Sequence, residues 1–249
     1  MHKPWRAEYA LTANFPVASH FAKFSDWPQI EDYNEAYRLF AGEGEVQFVE
    51  QAQLGQRATK RLRRMGLFGA RYYSTNIRDR LAIPTRIKNW HDFFNVLTWI
   101  TFPKSKYIIQ SLVSEFAGAS RRHPTADALT HIDEGCILLA CEVGDLSDVL
   151  RVVEAQDIEE KARLVARGVV KPFVLGHGIF ESVCDKKILQ INASAIILPF
   201  DRAFFSHDVS TCFPLLDEKL AELLNRSQEG ESWVRGSVPA QAVFGSAIR

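Results

Sequence analysis

Neither sign of charge predominates in this sequence, where 30 Lys and Arg face 30 Asp and Glu. A balanced chain has no global field to draw it to nucleic acid or anionic lipid, so any such binding must be local. Cysteine is scarce. Cys136, Cys141, Cys184 and Cys212 show none of the short paired spacings that build zinc sites or redox dithiols, and they are expected as reduced core residues. No stretch reaches the roughly 18 apolar residues of a membrane span, and residues 1–24 lack the apolar run and small-residue end of a secretory signal. The expected location is the cytoplasm. Familiar catalytic signatures are also missing: there is no Gly-x-Ser-x-Gly, no phosphate loop ending in Lys-Ser or Lys-Thr, no dinucleotide fingerprint and no His-Glu-x-x-His.

Apolar residues at 47% and charged residues at 24% are ordinary for a globular protein, and 249 residues suffice for a core without staples. No fixed-period repeat and no Pro/Gly/Ser linker divides the chain, so one domain is the simpler reading. Residues 1–45 form an aromatic segment, with Trp5, Phe15, Phe21, Trp27, Tyr33 and Tyr37 among its large side chains, and should pack on the core. Residues 46–226 make the main domain, and 227–249 a polar, loose tail.

Periodicity predicts helices over 32–40, 51–65, 89–102, 104–116, 145–154, 158–167, from Gly176-His177-Gly178 to about 184, and over 214–225. Strands are expected at 46–49, 169–175 and 195–198. Segments 129–132 and 136–141 read as a hairpin turned at Asp133-Glu134-Gly135. Strands and helices alternate without a steady βαβ series, so the expected class is α+β, a small mixed or antiparallel sheet packed with several helices.

The densest polar constellation is Asn89-Trp90-His91-Asp92, preceded by Pro84-Thr85-Arg86. Asn89 is a good N-cap, and Asp92 three positions later can return to it as in a capping box. His91, Asn95 and Thr98 share one helical stripe beside the apolar face, where a cavity could be lined. Arg86 offers a two-pronged grip for an anion at the helix start, against the competing reading that it forms a structural ion pair with Asp92, Asp133 or another acid. Hairpin alternation puts His131 and Asp133 on one face, Thr130 and Glu134 on the other. Turn chemistry alone is a competing account of both acids. His177 stands between two glycines at a strand-to-helix junction, where a side chain is readily presented to a cleft. Were His91, His177 and a carboxylate to converge, they could hold a divalent metal or act as a metal-free acid/base pair. The spacing carries no compact metal signature, so no metal ligand is assigned. Arg57, Lys60, Arg61, Arg63, Arg64 and Arg71, beside Tyr72 and Tyr73, could grip nucleic-acid phosphate, but a solvated helix face is the favoured account.

Tyr73, Ile83-Pro84-Thr85-Arg86, Asn89 to Asn95, Phe102-Pro103, Asp127-Ala128-Leu129-Thr130, Asp133-Glu134 and Gly176-His177-Gly178 together resemble a bacterial family known as domain of unknown function 3025, over roughly 46–198. His131 departs from the more hydrophobic residue of that pattern, and the tail lacks its Pro-, Gly- and Trp-containing ending. The resemblance implies a domain and candidate positions, and no activity.

The leading expectation is therefore a cytoplasmic bacterial enzyme of hydrolase type acting on a small anionic substrate. His91 and His177 would share acid/base work, Asp133 or Glu134 would orient one imidazole, Asn95 and Thr130 would position substrate, and Arg86 would hold the anion. The sequence identifies no cofactor, no membrane partner and no oligomeric state, and it disfavours nucleic acid. The competing expectation is a non-catalytic ligand-binding or interaction domain whose polar residues form a structural network.

Overall fold

The computed structural model describes Trp5 and residues 15–42, 46–51, 56–65, 69–116, 123–155, 157–184, 191–226 and 233–240. It is an α+β protein with two small sheets among many helices, in two compact units, Met1–Thr130 and His131–Arg249.

In the first unit, α1 (Ala18–Phe21) precedes α2 (Ile30–Ala41), whose start is fixed by a reciprocal cap between Gln29 and Asp32. Asn34 of α2 serves the edge of β1 (Gln47–Glu50) as a missing strand would, its amide bonding both the N–H and the C=O of Phe48. The basic helix α3 (Gln56–Arg64) follows, then α4 (Ala70–Arg80), which stops where Leu81 takes a left-handed φ of 55°. Strand β2 (Ala82–Thr85) pairs parallel with β1, Phe48 opposite Ile83. Helix α5 (Trp90–Thr101) is buried along almost its whole length, and Pro103 opens α6 (Pro103–Phe116), as expected from a residue that lacks an N–H. Trp5 stacks on Trp90 at 5.4 Å, and Phe21 meets Phe93 edge-on at 5.4 Å.

In the second unit, β3 (Cys136–Glu142), β4 (Val170–Val174), β5 (Asn192–Phe200) and β6 (Gly236–Pro239) form a mixed sheet in the order β4-β3-β5-β6. Strand β3 runs antiparallel to β4 and parallel to β5, and Cys136 through Cys141 are all buried, as an unbroken apolar run demands. Helices α8 (Leu146–Glu154) and α9 (Ile158–Ala166) pack on β6, and α11 (Val209–Arg226) packs on β5. Helix α10 (His177–Cys184) follows β4 after two residues.

Three expectations are corrected. The hairpin does not form: residues 124–135 are one helix, α7 (Pro124–Gly135), which passes directly into β3. Pro124 begins it, and the buried positions Ala126, Leu129, Ile132 and Asp133 fall at i, i+3, i+6 and i+7, a helical face that a window of four conceals. Gly135 does not adopt the positive φ that the favoured hairpin turns require. Helix α11 begins at Val209 rather than 214, because Asp208 accepts from the Thr211 N–H and starts it five residues ahead of Pro214. The tail supplies the edge strand β6, and its residues 227–232 and 241–249 lie outside the described residues. Helix α4 and strand β2 carry no clear periodicity and were not expected. No described helix is long and apolar enough to cross a membrane.

Candidate functional site

The second unit's site is built where α7 ends. The last carbonyls of a helix have no partner within it. That of Asp133 accepts a hydrogen bond from His177 Nδ1 at 2.9 Å. A carbonyl oxygen only accepts, so Nδ1 carries the proton and the neutral ring presents a lone pair at Nε2. Nε2 lies 3.5 Å from Glu134 Oε2. A lone pair and a carboxylate repel at this separation, so the pair favours a proton or a cation between them. His177 is 2% exposed, whereas the Glu134 carboxyl is partly in solvent. The Asp133 carboxylate is farther from the ring, 3.9 Å from Nδ1, so the backbone rather than the carboxylate of Asp133 orients His177. His177 Nε2 and Glu134 Oε2 are also donors of the kind a divalent cation takes.

Both glycines beside His177 are there for room. A β-carbon on Gly176 would come 2.4 Å from the backbone nitrogen of Cys136, and one on Gly178 would come 2.9 Å from both the carbonyl and Oε2 of Glu134. The Leu175 and Gly176 N–H groups donate to the Cys136 carbonyl, which draws the strand-to-helix turn against the end of α7. Thus Gly-His-Gly brings the start of α10 close enough for the imidazole to reach the Asp133 carbonyl of α7.

In the first unit the predicted residues are held by one another. Asn89 caps α5 by accepting from the Asp92 N–H at 3.0 Å. Asp92 does not return to the cap. It accepts from the Arg86 backbone N–H at 2.7 Å, from Nε at 2.9 Å and from Nη2 at 2.6 Å. The two-pronged grip of Arg86 thereby closes on a buried carboxylate. Asn95 lies between two side chains, accepting from Lys106 Nζ at 2.8 Å and donating to Tyr73 Oη at 2.8 Å. Thr98 is fully buried and bonds the Asn95 carbonyl. His91 is half-buried in the first turn of α5.

Helix α7 resets the remaining assignments. Thr130 bonds back to the Ala126 carbonyl, His131 is exposed, and Asp133 and Glu134 are successive helical residues rather than members of opposite strand faces. Sequence reasoning did not single out Lys106 or Trp99. Lys106 is 0% exposed, and Trp99 Nε1 donates to Tyr73 Oη at 3.1 Å. A Lys one helical turn beyond Phe102, at the start of a helix opened by Pro103, was the available signal, since a cation on the inner side of a helix must find polar partners.

The match to known families bears on this same set. A model described as "Protein of unknown function (DUF3025)" matches residues 62–239. The chain belongs to the DUF3025 family. The DUF3025 match spans Tyr73, Arg86, His91, Asn95, Lys106, Thr130, Asp133, Glu134 and His177, and it runs past residue 198 to take in all of β6. No curated protein and no solved structure matches the chain.

Proposed function

We propose that this DUF3025 protein is a hydrolase-type enzyme for a small anionic substrate, in which His177 and Glu134 exchange the working proton. The observation that carries the reading is the commitment of His177 Nδ1 to the Asp133 carbonyl, which leaves Nε2 basic and facing a carboxylate at 3.5 Å. Nε2 removes a proton from water or substrate, the ring becomes imidazolium, and the Glu134 carboxylate stabilises it. His91 enters the proposal on its chemistry and its place in α5 alone, as a second acid/base group. Asp133 acts through its backbone, and Thr130 is carried as a substrate-positioning hydroxyl from the same helix. The setting is the bacterial cytoplasm, which suits four free cysteines.

The second reading, a ligand-binding domain without catalysis, draws support from the first unit, where Arg86 and Asn95 serve internal partners. The test is a thermal-shift screen of small carboxylate and phosphate esters and amides on the full chain, followed by product analysis for each compound that stabilises it. The enzyme reading expects a stabilising compound to be hydrolysed. H177N and E134Q should slow turnover on the order of 100-fold or more while still binding it. A compound that stabilises the protein and is recovered intact supports the binding domain, and full turnover by H177N overturns the proton role.

A further inference from the structure

Helices α8 and α9 border a cleft of about 490 Å³, a size that suits a small molecule. Only residues 155–157 join them, so they run antiparallel and the start of α8 lies beside the end of α9. Asp145, Asp148 and Arg151 line the cleft at intervals of three, one face of the first helix, and Glu160, Arg163 and Arg167 line it at three and four on the second. Val152, which is 3% exposed, adds apolar surface with Leu164 and Val169. Three acids and three arginines therefore share this hollow, and they barely satisfy one another. Arg151 stays 3.8 Å from Glu160 and 3.9 Å from Asp148, too far for a hydrogen bond. Arg163 pairs at 3.0 Å with Glu159, which does not line the cleft. Asp145 holds the N-cap position of α8 without making a capping bond. Among the described residues, no base lies within 4.0 Å of its carboxylate and no acid within 4.0 Å of the Arg167 guanidinium. A simple anion would meet the three acids here, and a simple cation the three arginines. A solute that carries both charges finds a partner for each.

We propose that the cleft between α8 and α9 binds a small aliphatic amino acid as its zwitterion. The ammonium group sits against Asp145 and Asp148. The carboxylate is taken by Arg163 and Arg167, one helical turn apart, whose forked N–H groups match it, and the methylenes cover Leu164 and Val169. The site is independent of the role given to His177.

Titration calorimetry of the full chain at neutral pH tests it with probes of one chain length. Norvaline and 5-aminopentanoate carry both charges, adjacent in the first and at opposite ends in the second, whereas pentanoate and pentylamine carry one each. The better of the two zwitterions should bind about tenfold more tightly than either singly charged probe, and D145N and R167Q should each weaken it about tenfold. Both residues are exposed, so both variants keep the fold. Pentanoate or pentylamine binding as tightly as the better zwitterion overturns the proposal. So does the absence of zwitterion binding up to about 10 mM, or binding that neither substitution weakens.

Discussion

Asp92 holds Arg86 through three hydrogen bonds, one to its backbone and two to its guanidinium, and in doing so joins the end of β2 to the first turn of α5. The carboxylate is buried and the arginine half-buried, so the contact is worth more than a surface ion pair. R86A should lower stability by about 1–3 kcal/mol in urea unfolding, and D92A by at least as much, because it leaves a backbone N–H and the guanidinium without their acceptor. Were Arg86 reserved for an anionic ligand, R86A would leave the unfolding midpoint unchanged.

The glycines around His177 differ in what they would strike. G176A drives a methyl group into the backbone of Gly135 and Cys136, which cannot yield locally, and should cost about 3 kcal/mol or more. G178A meets the Glu134 carbonyl and its flexible carboxylate, and should cost about 1–2 kcal/mol while pushing Glu134 away from Nε2. Chemical denaturation ranks the two. Equal and negligible losses would mean that the close approach of α10 to α7 is not a feature of the folded protein.

His20 lies among Phe21, Phe24 and Phe40, and burial, followed by the charge of Lys23, holds its imidazole below the usual range. The unfolded chain therefore binds the proton more readily than the fold does. His20 favours the native state above its ordinary value of about 6.5, and that contribution is lost as pH falls below it. Melting temperatures between pH 7.5 and 5 should fall less steeply for H20Q than for the wild type. Parallel curves would remove His20 from the acid response.

Thiol chemistry should follow burial. Cys141 is pushed up to about 11, first by desolvation and then by the charge of Asp145, and burial pushes the Cys136 thiol up as well. Both stand in β3, whereas Cys184 ends α10 half-buried. Native protein treated with iodoacetamide at pH 8 should be alkylated at Cys184 well before Cys136 or Cys141, which react only on unfolding. Mass mapping of the modified peptides reads the order.

Much of the helical framework was legible because α5, α6, α8 and α9 carry the 3.6-residue period over long segments. The 124–135 helix was misread because Leu129 to Ile132, taken alone, fits either period, and only the span back to Pro124 separates them. At the candidate site, Gly-His-Gly was visible as a motif, but its reason was not. The demand for space comes from α7, forty residues earlier in the chain, and no local pattern encodes it. Lys106 and Trp99 were hidden for the same reason, since their partners Asn95 and Tyr73 lie on other helices.

The order of strands in the second sheet also governs when this protein can fold during synthesis. β3 lies inside the sheet, yet its parallel neighbour β5 emerges only after β4 and α10, and the outer strand β6 later still. Until β5 leaves the ribosome, one edge of β3, an unbroken apolar strand, stays open to other chains. That interval is when the nascent protein most needs a chaperone.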